Sequence, residues 1–339
     1  MKKEVITLNR DRNVTLTCYL WDGDEEYQTI PKRPAVVVLP GGGYDMCSNR
    51  EADPIAMPFF QAGYHAFILR YSLGENKIWP KPLEDYEDAM QMIRSHTDEW
   101  KVYPDKIAVM GFSAGGHLAG AAATMSKNRP NAAVLGYPVL RREDTDLWNP
   151  SAPDIISHVN QDTCPCFLFH TRNDSLVPVG NTIAFMNALD QAGVTFETHV
   201  YSFGPHGFST GTQMLQGPTP GTLTPRAGNW VADAIGFLEE LFGTFGYGTM
   251  NNPVLEKFAF PEKAGLFSAD CSVRYLLGNP RAKELIAPVL RKLGYTEPFE
   301  PDALPRVLLQ VSLRTALTYT DISDETAKEI DTALRALHL

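Results

Sequence analysis

The chain lacks any long apolar run. No stretch approaches the roughly 20 residues that a bilayer-spanning helix needs. The opening MKKEVITLNRDRN has two lysines but no apolar segment behind them, so it does not read as a secretory leader. A cytoplasmic protein with no membrane partner is the expectation. Cysteine is scarce: five residues, at 18, 47, 164, 166 and 271, odd in number and scattered. Cys164-Pro165-Cys166 is too short for a C-x-x-C motif and no second pair exists for zinc, so reduced thiols and no metal are expected. Positive charge is in deficit, with 30 Lys and Arg against 40 Asp and Glu and a net charge of −10. Nucleic acid and anionic membranes both require clustered cations, so neither is expected as a partner. No internal repeat or low-complexity segment stands out. What is present is ordinary for a folded protein: 44% apolar and 21% charged residues. A length of 339 residues suits one large core plus a smaller module.

The most informative stretch is Val109-Met110-Gly111-Phe112-Ser113-Ala114-Gly115-Gly116-His117. It holds G-x-S-x-G between an apolar run (106–110) and a small-residue segment (114–125), the strand–sharp turn–helix context of a nucleophile elbow. Side chains at Gly111 or Gly115 would collide with the reversing backbone. The turn lifts the Ser113 hydroxyl out of the sheet and points the Ala114 N–H at any anion formed beside it.

Around this elbow, strands and helices alternate. An antiparallel hairpin is expected over 5–9 and 14–20, around Asn9-Arg10-Asp11-Arg12-Asn13. Ala35-Val36-Val37-Val38-Leu39 reads as a strand covered on both faces. Further strands are expected at 65–71, 131–137, 166–170 and 196–201, and helices at 51–61, 83–97, 181–192 and 229–242. This order implies an α/β fold, a mostly parallel central sheet with helices on both faces and functional loops at the strands' carboxyl ends. Near 243–253 the composition turns to glycine and turn formers, and beyond it strands stop. Asn279-Pro280 opens one helix, which Pro288 is expected to bend, and Ser323 opens another. The expected division is a catalytic domain over 1–247 and a small C-terminal helical module over 248–339. The module's apolar stripe, Ala327, Ile330, Leu334 and Leu337, must be buried in its own core, on the larger domain, or in a homo-oligomer.

A serine hydroxyl needs a base, and the base an orienting acid. Among eight histidines, His206 in Gly204-Pro205-His206-Gly207-Phe208 directly follows a strand, where a loop can carry its imidazole to the serine. His117 faces away on the elbow helix. His170 and His199 lie within strands and suit structural roles, and His65, His96, His158 and His338 have no motif around them. Asp174, in Asn173-Asp174-Ser175-Leu176-Val177-Pro178, follows the strand at 166–170, though a turn or helix-cap role fits it too. Asp162 precedes that strand and would sit at the wrong end of the sheet. The chain order Ser113, Asp174, His206 is that of an α/β-hydrolase triad. Gly41-Gly42-Gly43 follows an early strand, and Gly42 and Gly43 with Ala114 would form the oxyanion hole.

Together Pro40-Gly41-Gly42-Gly43-Tyr44, Gly111-Phe112-Ser113-Ala114-Gly115-Gly116-His117-Leu118-Ala119, Asn173 to Pro178 and Gly204 to Phe208 resemble the α/β-hydrolase esterases. The nearest group is the acetylxylan and feruloyl esterase-like branch, related to the hormone-sensitive-lipase group. The resemblance covers residues 30–243. It departs at Pro40, where the lipase group usually has His, and the segment between Pro138 and Cys164 looks short for a lid. The resemblance implies a cofactor-free serine esterase acting on short acyl groups, acetyl above all, of small acylated carbohydrates such as imported xylo-oligosaccharides. Tyr44, Trp79 and Trp230 are candidates for stacking on a sugar ring, with burial in the core as the competing reading. A peptidase of the same fold would usually need a propeller or cap, and none is visible. A non-catalytic binding protein on this scaffold typically lacks the serine, the base or the oxyanion glycines, all of which are here.

Overall fold

The computed structural model describes residues 1–21, 30–215, 225–258 and 260–337. It separates into two units, one of Met1–Asp190 with Thr195–Lys257, the other of Gln191–Val194 with Phe258–Leu339.

The first unit is built on eight strands: β1 (Lys2–Asn9), β2 (Val14–Leu20), β3 (Arg33–Leu39), β4 (His65–Arg70), β5 (Val102–Phe112), β6 (Ala132–Gly136), β7 (Cys166–Thr171) and β8 (Phe196–Tyr201). They form one sheet in the order β1-β2-β4-β3-β5-β6-β7-β8. β1 and β2 pair antiparallel, as do β2 and β4, and every later pair is parallel. Helices α1 (Asp53–Gln61), α2 (Lys81–Ser95), α3 (Ala114–Thr124), α4 (Arg142–Trp148), α5 (Gly180–Gln191) and α6 (Trp230–Phe242) fill the connections. In β3, Ala35 to Leu39 are fully buried, so both faces of this strand are covered. Each such Val or Leu contributes about 1.5–3 kcal/mol relative to exposure. The exposed lysines Lys2 and Lys3 discourage pairing of the β1 edge with another chain.

Register sets the site. Leu39 of β3 pairs with Gly111 of β5, and Phe112 with Gly136 of β6, so the carboxyl ends of the central strands finish level. The chain moves to β4 after β3, and in the opposite direction to β6 after β5. A crevice at that point, outside the strand ends, is where ligands of open α/β sheets bind.

The boundary between units falls later than expected. Residues 248–257 belong to the first unit: Met250 and Leu255 pack in its hydrophobic core, and Thr195 N–H donates to the Lys257 carbonyl at 2.8 Å. Glycine and turn residues here make a bridged turn, Phe245 pairing with Met250, not a free linker.

The second unit has its own core, with Phe267, Val273, Leu276, Ile286, Leu290, Leu313 and Leu334 among its buried members. Its helices are α7 (Val273–Leu277), α8 (Pro280–Lys292), α9 (Arg306–Gln310), α10 (Leu313–Leu317) and α11 (Asp324–Arg335). A short repeat appears that the sequence pattern did not reveal. Ser272-Val273-Arg274-Tyr275-Leu276-Leu277 and Ser312-Leu313-Arg314-Thr315-Ala316-Leu317 each form a serine-capped helix of five residues, and Ser272 and Ser312 bridge antiparallel. Among the described residues no helix is long and apolar enough to cross a membrane.

Candidate active site

Ser113 sits between β5 and α3 with φ 54° and ψ −118°, a conformation costing on the order of 1–3 kcal/mol for a residue with a side chain. The elbow is possible only with glycine beside it. A Cβ on Gly111 would lie 2.1 Å from the Gly115 carbonyl oxygen, and one on Gly115 would lie 2.1 Å from that of Leu39. The Ser113 N–H donates to the Gly136 carbonyl at 3.0 Å, which ties the elbow to β6.

The structure brings Ser113, His206 and Asp174 into one chain of hydrogen bonds. His206 Nδ1 lies 2.7 Å from Asp174 Oδ2, and His206 Nε2 lies 2.9 Å from Ser113 Oγ. Because a carboxylate only accepts, the network assigns the proton to Nδ1 and leaves Nε2 bare toward the serine hydroxyl. Asp174 serves both readings of its surroundings. Its Oδ1 accepts the N–H groups of Leu176 and Val177 at 2.9 and 3.0 Å, a turn-former's role, while Oδ2 faces the imidazole. Burial by itself would raise the Asp174 pKa, but hydrogen bonds from His170 and His206 and from the Val177 N–H outweigh it and hold the carboxyl well below its ordinary range.

Three of the other histidines have partners away from Ser113. His170 is fully buried, with Nδ1 2.8 Å from Thr182 Oγ1 and Nε2 2.9 Å from the Val177 carbonyl and 3.3 Å from Asp174 Oδ2. His117 lies between the Tyr44 hydroxyl and the Pro153 carbonyl, at 2.7 and 2.8 Å, and burial pulls its pKa down to about 4. His199 pairs with Glu197. His338 lies outside the described residues.

Gly42 and Gly43 line the same cavity as Ser113 and His206. Both have positive φ, 132° and 66°, and a Cβ on Gly42 would lie 2.3 Å from the Met46 carbonyl oxygen. Ala114 is the first residue of α3, where an N–H has no acceptor within the helix. Gly41 differs: its N–H is taken by Glu51 Oε2 at 2.8 Å.

Two of the three aromatic candidates must be corrected. Tyr44 is 1% exposed, and its hydroxyl is engaged with His117 beneath the glycine turn. Trp230 is fully buried, stacked on Phe169 with ring centroids 4.2 Å apart, and its indole N–H donates to the Ser209 carbonyl. Neither can meet a sugar, and Trp230 instead anchors the loop that carries His206. Trp79 is half-buried, edge-on to His117, and is not among the cavity's lining residues.

The aromatic residue in the cavity is Trp148, which sequence reasoning missed. The segment 139–163, read as too short for a lid, folds α4 and presents Trp148 to the glycine turn, so that a Cβ on Gly43 would lie 2.9 Å from its ring. Met46, Arg50, Glu51 and Leu176 also line this cavity of about 280 Å³. Leu176 lies two residues past Asp174 and was within reach of motif reasoning. Nothing in the sequence pattern marked Trp148 or Glu51. Among the described residues no cluster of three or more His, Cys, Asp or Glu side chains is arranged to hold a metal, and the five cysteines are buried and free.

Comparison with known proteins agrees with this fold. Residues 25–133 match the BD-FAE family model and residues 80–217 that of the prolyl oligopeptidase family. An α/β-hydrolase enzyme, MGS-M1, from a Medee basin deep-sea metagenome library superposes with a TM-score of 0.66 at 41% identity, over 71% of this chain and 98% of that one. The acetyl ester-xyloside bifunctional hydrolase of Caldicellulosiruptor lactoaceticus superposes with a TM-score of 0.61 at 27% identity, over 70% of this chain and 96% of that one. An acetylxylan esterase of Xylanibacter ruminicola is 30% identical over 63% of this chain and 49% of its own length. The chain spans about half or less of the length of these curated relatives. It belongs to the α/β-hydrolase family. It spans nearly all of the length of these two solved relatives.

Proposed function

We propose that the protein hydrolyses short acyl esters, acetyl above all, of small carbohydrates such as xylo-oligosaccharides. The observation that carries the chemistry is the relay from Asp174 through His206 to Ser113, at 2.7 and 2.9 Å, opening into a cavity lined by the glycine turn. Ser113 Oγ attacks the ester carbonyl as His206 Nε2 takes its proton, and the N–H groups of Gly42, Gly43 and Ala114 receive the developing oxyanion. His206 returns the proton to the leaving sugar oxygen, which departs and leaves an acyl-serine. Water then attacks the acyl carbon, giving its proton to His206. The carboxylic acid leaves as Ser113 recovers its hydrogen, and Asp174 holds the imidazole throughout.

Trp148 against Gly43 supports the short acyl group, because it closes the cavity over the turn. The volume of about 280 Å³ falls just below the range of small-ligand sites, roughly 300–1,000 Å³. The acetylxylan esterase and the acetyl ester-xyloside hydrolase among the relatives support a carbohydrate alcohol. The test compares acetyl and octanoyl p-nitrophenyl esters with acetylated xylo-oligosaccharides and short peptides. Acetyl esters and acetylated sugars should be cleaved fastest. Preference for octanoate, or inactivity on every acetylated sugar, would overturn the substrate assignment. The match of residues 80–217 to the prolyl oligopeptidase family favours a second reading, which peptide cleavage without ester preference would establish.

A further inference from the structure

We propose that Glu51 is a positioning residue, a buried carboxylate that holds the oxyanion turn and the His206 loop in a single geometry. The proposal rests on the esterase reading above and adds a residue that this reading does not use.

Glu51 is 3% exposed, yet its carboxylate borders the cavity. Oε2 accepts the Gly41 N–H at 2.8 Å, one residue ahead of the two glycines that face the oxyanion. Oε1 accepts the Tyr137 hydroxyl at 2.7 Å. Tyr137 directly follows β6, and its hydroxyl oxygen accepts the Ser209 N–H at 3.2 Å while its ring meets that of His206 edge-on at 5.0 Å. The Ser209 hydroxyl donates back to the Arg50 carbonyl, beside Glu51. One side chain therefore joins the glycine turn, the end of β6 and the loop of the base.

The backbone explains why such a tie is needed. Gly42, Tyr137 and Ser209 have φ of 132°, 35° and 52°. Conformations of this kind persist only where their surroundings over-determine them. A buried carboxylate is costly unless donors satisfy it, and here both oxygens receive one. Its charge does not favour an oxyanion nearby, so its contribution runs through the groups it holds. A glutamine has a single acceptor oxygen and cannot serve Gly41 and Tyr137 alike.

The experiment uses the full chain and three proteins: wild type, Glu51→Gln and Tyr137→Phe. It measures melting temperature, kcat and KM for p-nitrophenyl acetate, and Ki for a trifluoromethyl ketone whose hemiketal oxyanion on Ser113 mimics the transition state. Losing an oxyanion donor outright costs roughly 10²–10³ in kcat, so misplacing the turn should cost less. In Glu51→Gln, kcat should fall about 30- to 100-fold with KM within about threefold, and Ki should rise by the factor lost in kcat/KM. Tyr137→Phe, which cuts only one arm, should lose about fivefold in both. A folded Glu51→Gln protein with kcat within about threefold of wild type, or one whose kcat falls while Ki stays put, overturns the proposal. Should that variant fail to fold, Tyr137→Phe decides: parallel losses in kcat/KM and ketone affinity support the tie, and wild-type values overturn it. A wild type that neither turns over the ester nor binds the ketone overturns the esterase reading, and this proposal with it. An active, inhibited wild type confines any failure to Glu51.

Discussion

The two units hold their helices by opposite means. In the second unit, α7, α8, α10 and α11 begin on a side-chain cap, supplied by Ser272, Asn279, Ser312 and Ser323, and α9, which follows Pro305, is the exception. In the first unit, α1, α2, α3, α4 and α6 begin with no side-chain cap at all. Short amphipathic helices without a sheet beneath them rely on local hydrogen bonds at their ends. Helices laid on a buried sheet are fixed by packing, and their termini are free for other work. Ser113 makes the point: it occupies the cap position of α3 with a good capping side chain, yet its hydroxyl is turned to His206. Strain divides the same way. The described non-glycine residues with positive φ, among them Tyr44, Ser113, Tyr137 and Ser209 around the site, all lie in the first unit. Function collects where the sheet can over-determine unfavourable local geometry.

That contrast can be broken at several points. Ser113→Ala should lower ester turnover by roughly 10⁴–10⁶ in kcat while leaving the melting temperature nearly unchanged, since the hydroxyl caps nothing. Asp174→Asn should lose roughly 10⁴, because the amide favours the wrong tautomer of His206. A variant of either kind that kept near-wild-type rates, measured with p-nitrophenyl acetate, would remove the catalytic role from this cluster. Trp148→Ala should open the wall over Gly43 and raise the octanoyl-to-acetyl rate ratio about tenfold or more, and an unchanged ratio would show that Trp148 does not limit acyl length.

Acid should separate the units. His65 and His117, both buried in the first unit, have pKa values lowered by burial from 6.5 to about 4. The unfolded chain therefore binds more protons between those limits. Stability is unaffected above about pH 6.5 and declines as pH falls toward 4. In the second unit, Asp270 and Asp321 are shifted below the ordinary carboxylate range by hydrogen bonds to Arg314 and Lys292, so their contributions are lost only at still lower pH. Hydrogen exchange at pH 7 and pH 4.5 should show protection lost in the sheet and kept in α8 and α11. Equal loss in both would contradict the assignment. The smallest effect is local: Asn279→Ala removes the acceptor for the Arg281 and Ala282 N–H groups and should cost about 1 kcal/mol in the second unit, with ester turnover unchanged.

Much of the first unit was legible because its signals are local and steric. The Val36-Val37-Val38 run announced a covered strand, and the glycines of the elbow announced a turn that no side chain can enter. Asp174 and His206 were legible as loop residues after strands, and the structure brings them to Ser113. The aromatic candidates failed for a different reason. Tyr44 stands in the glycine motif and Trp230 at the start of a helix, but whether a ring faces a cavity or the core depends on packing by distant elements. Trp230 is set by Phe169 and Ser209, 61 and 21 residues away. Trp148 shows the converse, a ring from a segment read only as too short for a lid, brought to the glycine turn.

The sequence by itself determined the order of the sheet's strands and its longer helices, the elbow and the chemical types of the relay, because each follows from periodicity, sterics or motif spacing along a few residues. The tertiary structure alone decided which rings line the cavity, that residues 248–257 complete the first unit, and that Glu51 bridges Gly41 and Tyr137. Those outcomes depend on contacts between segments far apart in the chain, and on buried polar groups finding partners there. No local pattern encodes which distant partner a buried group will meet.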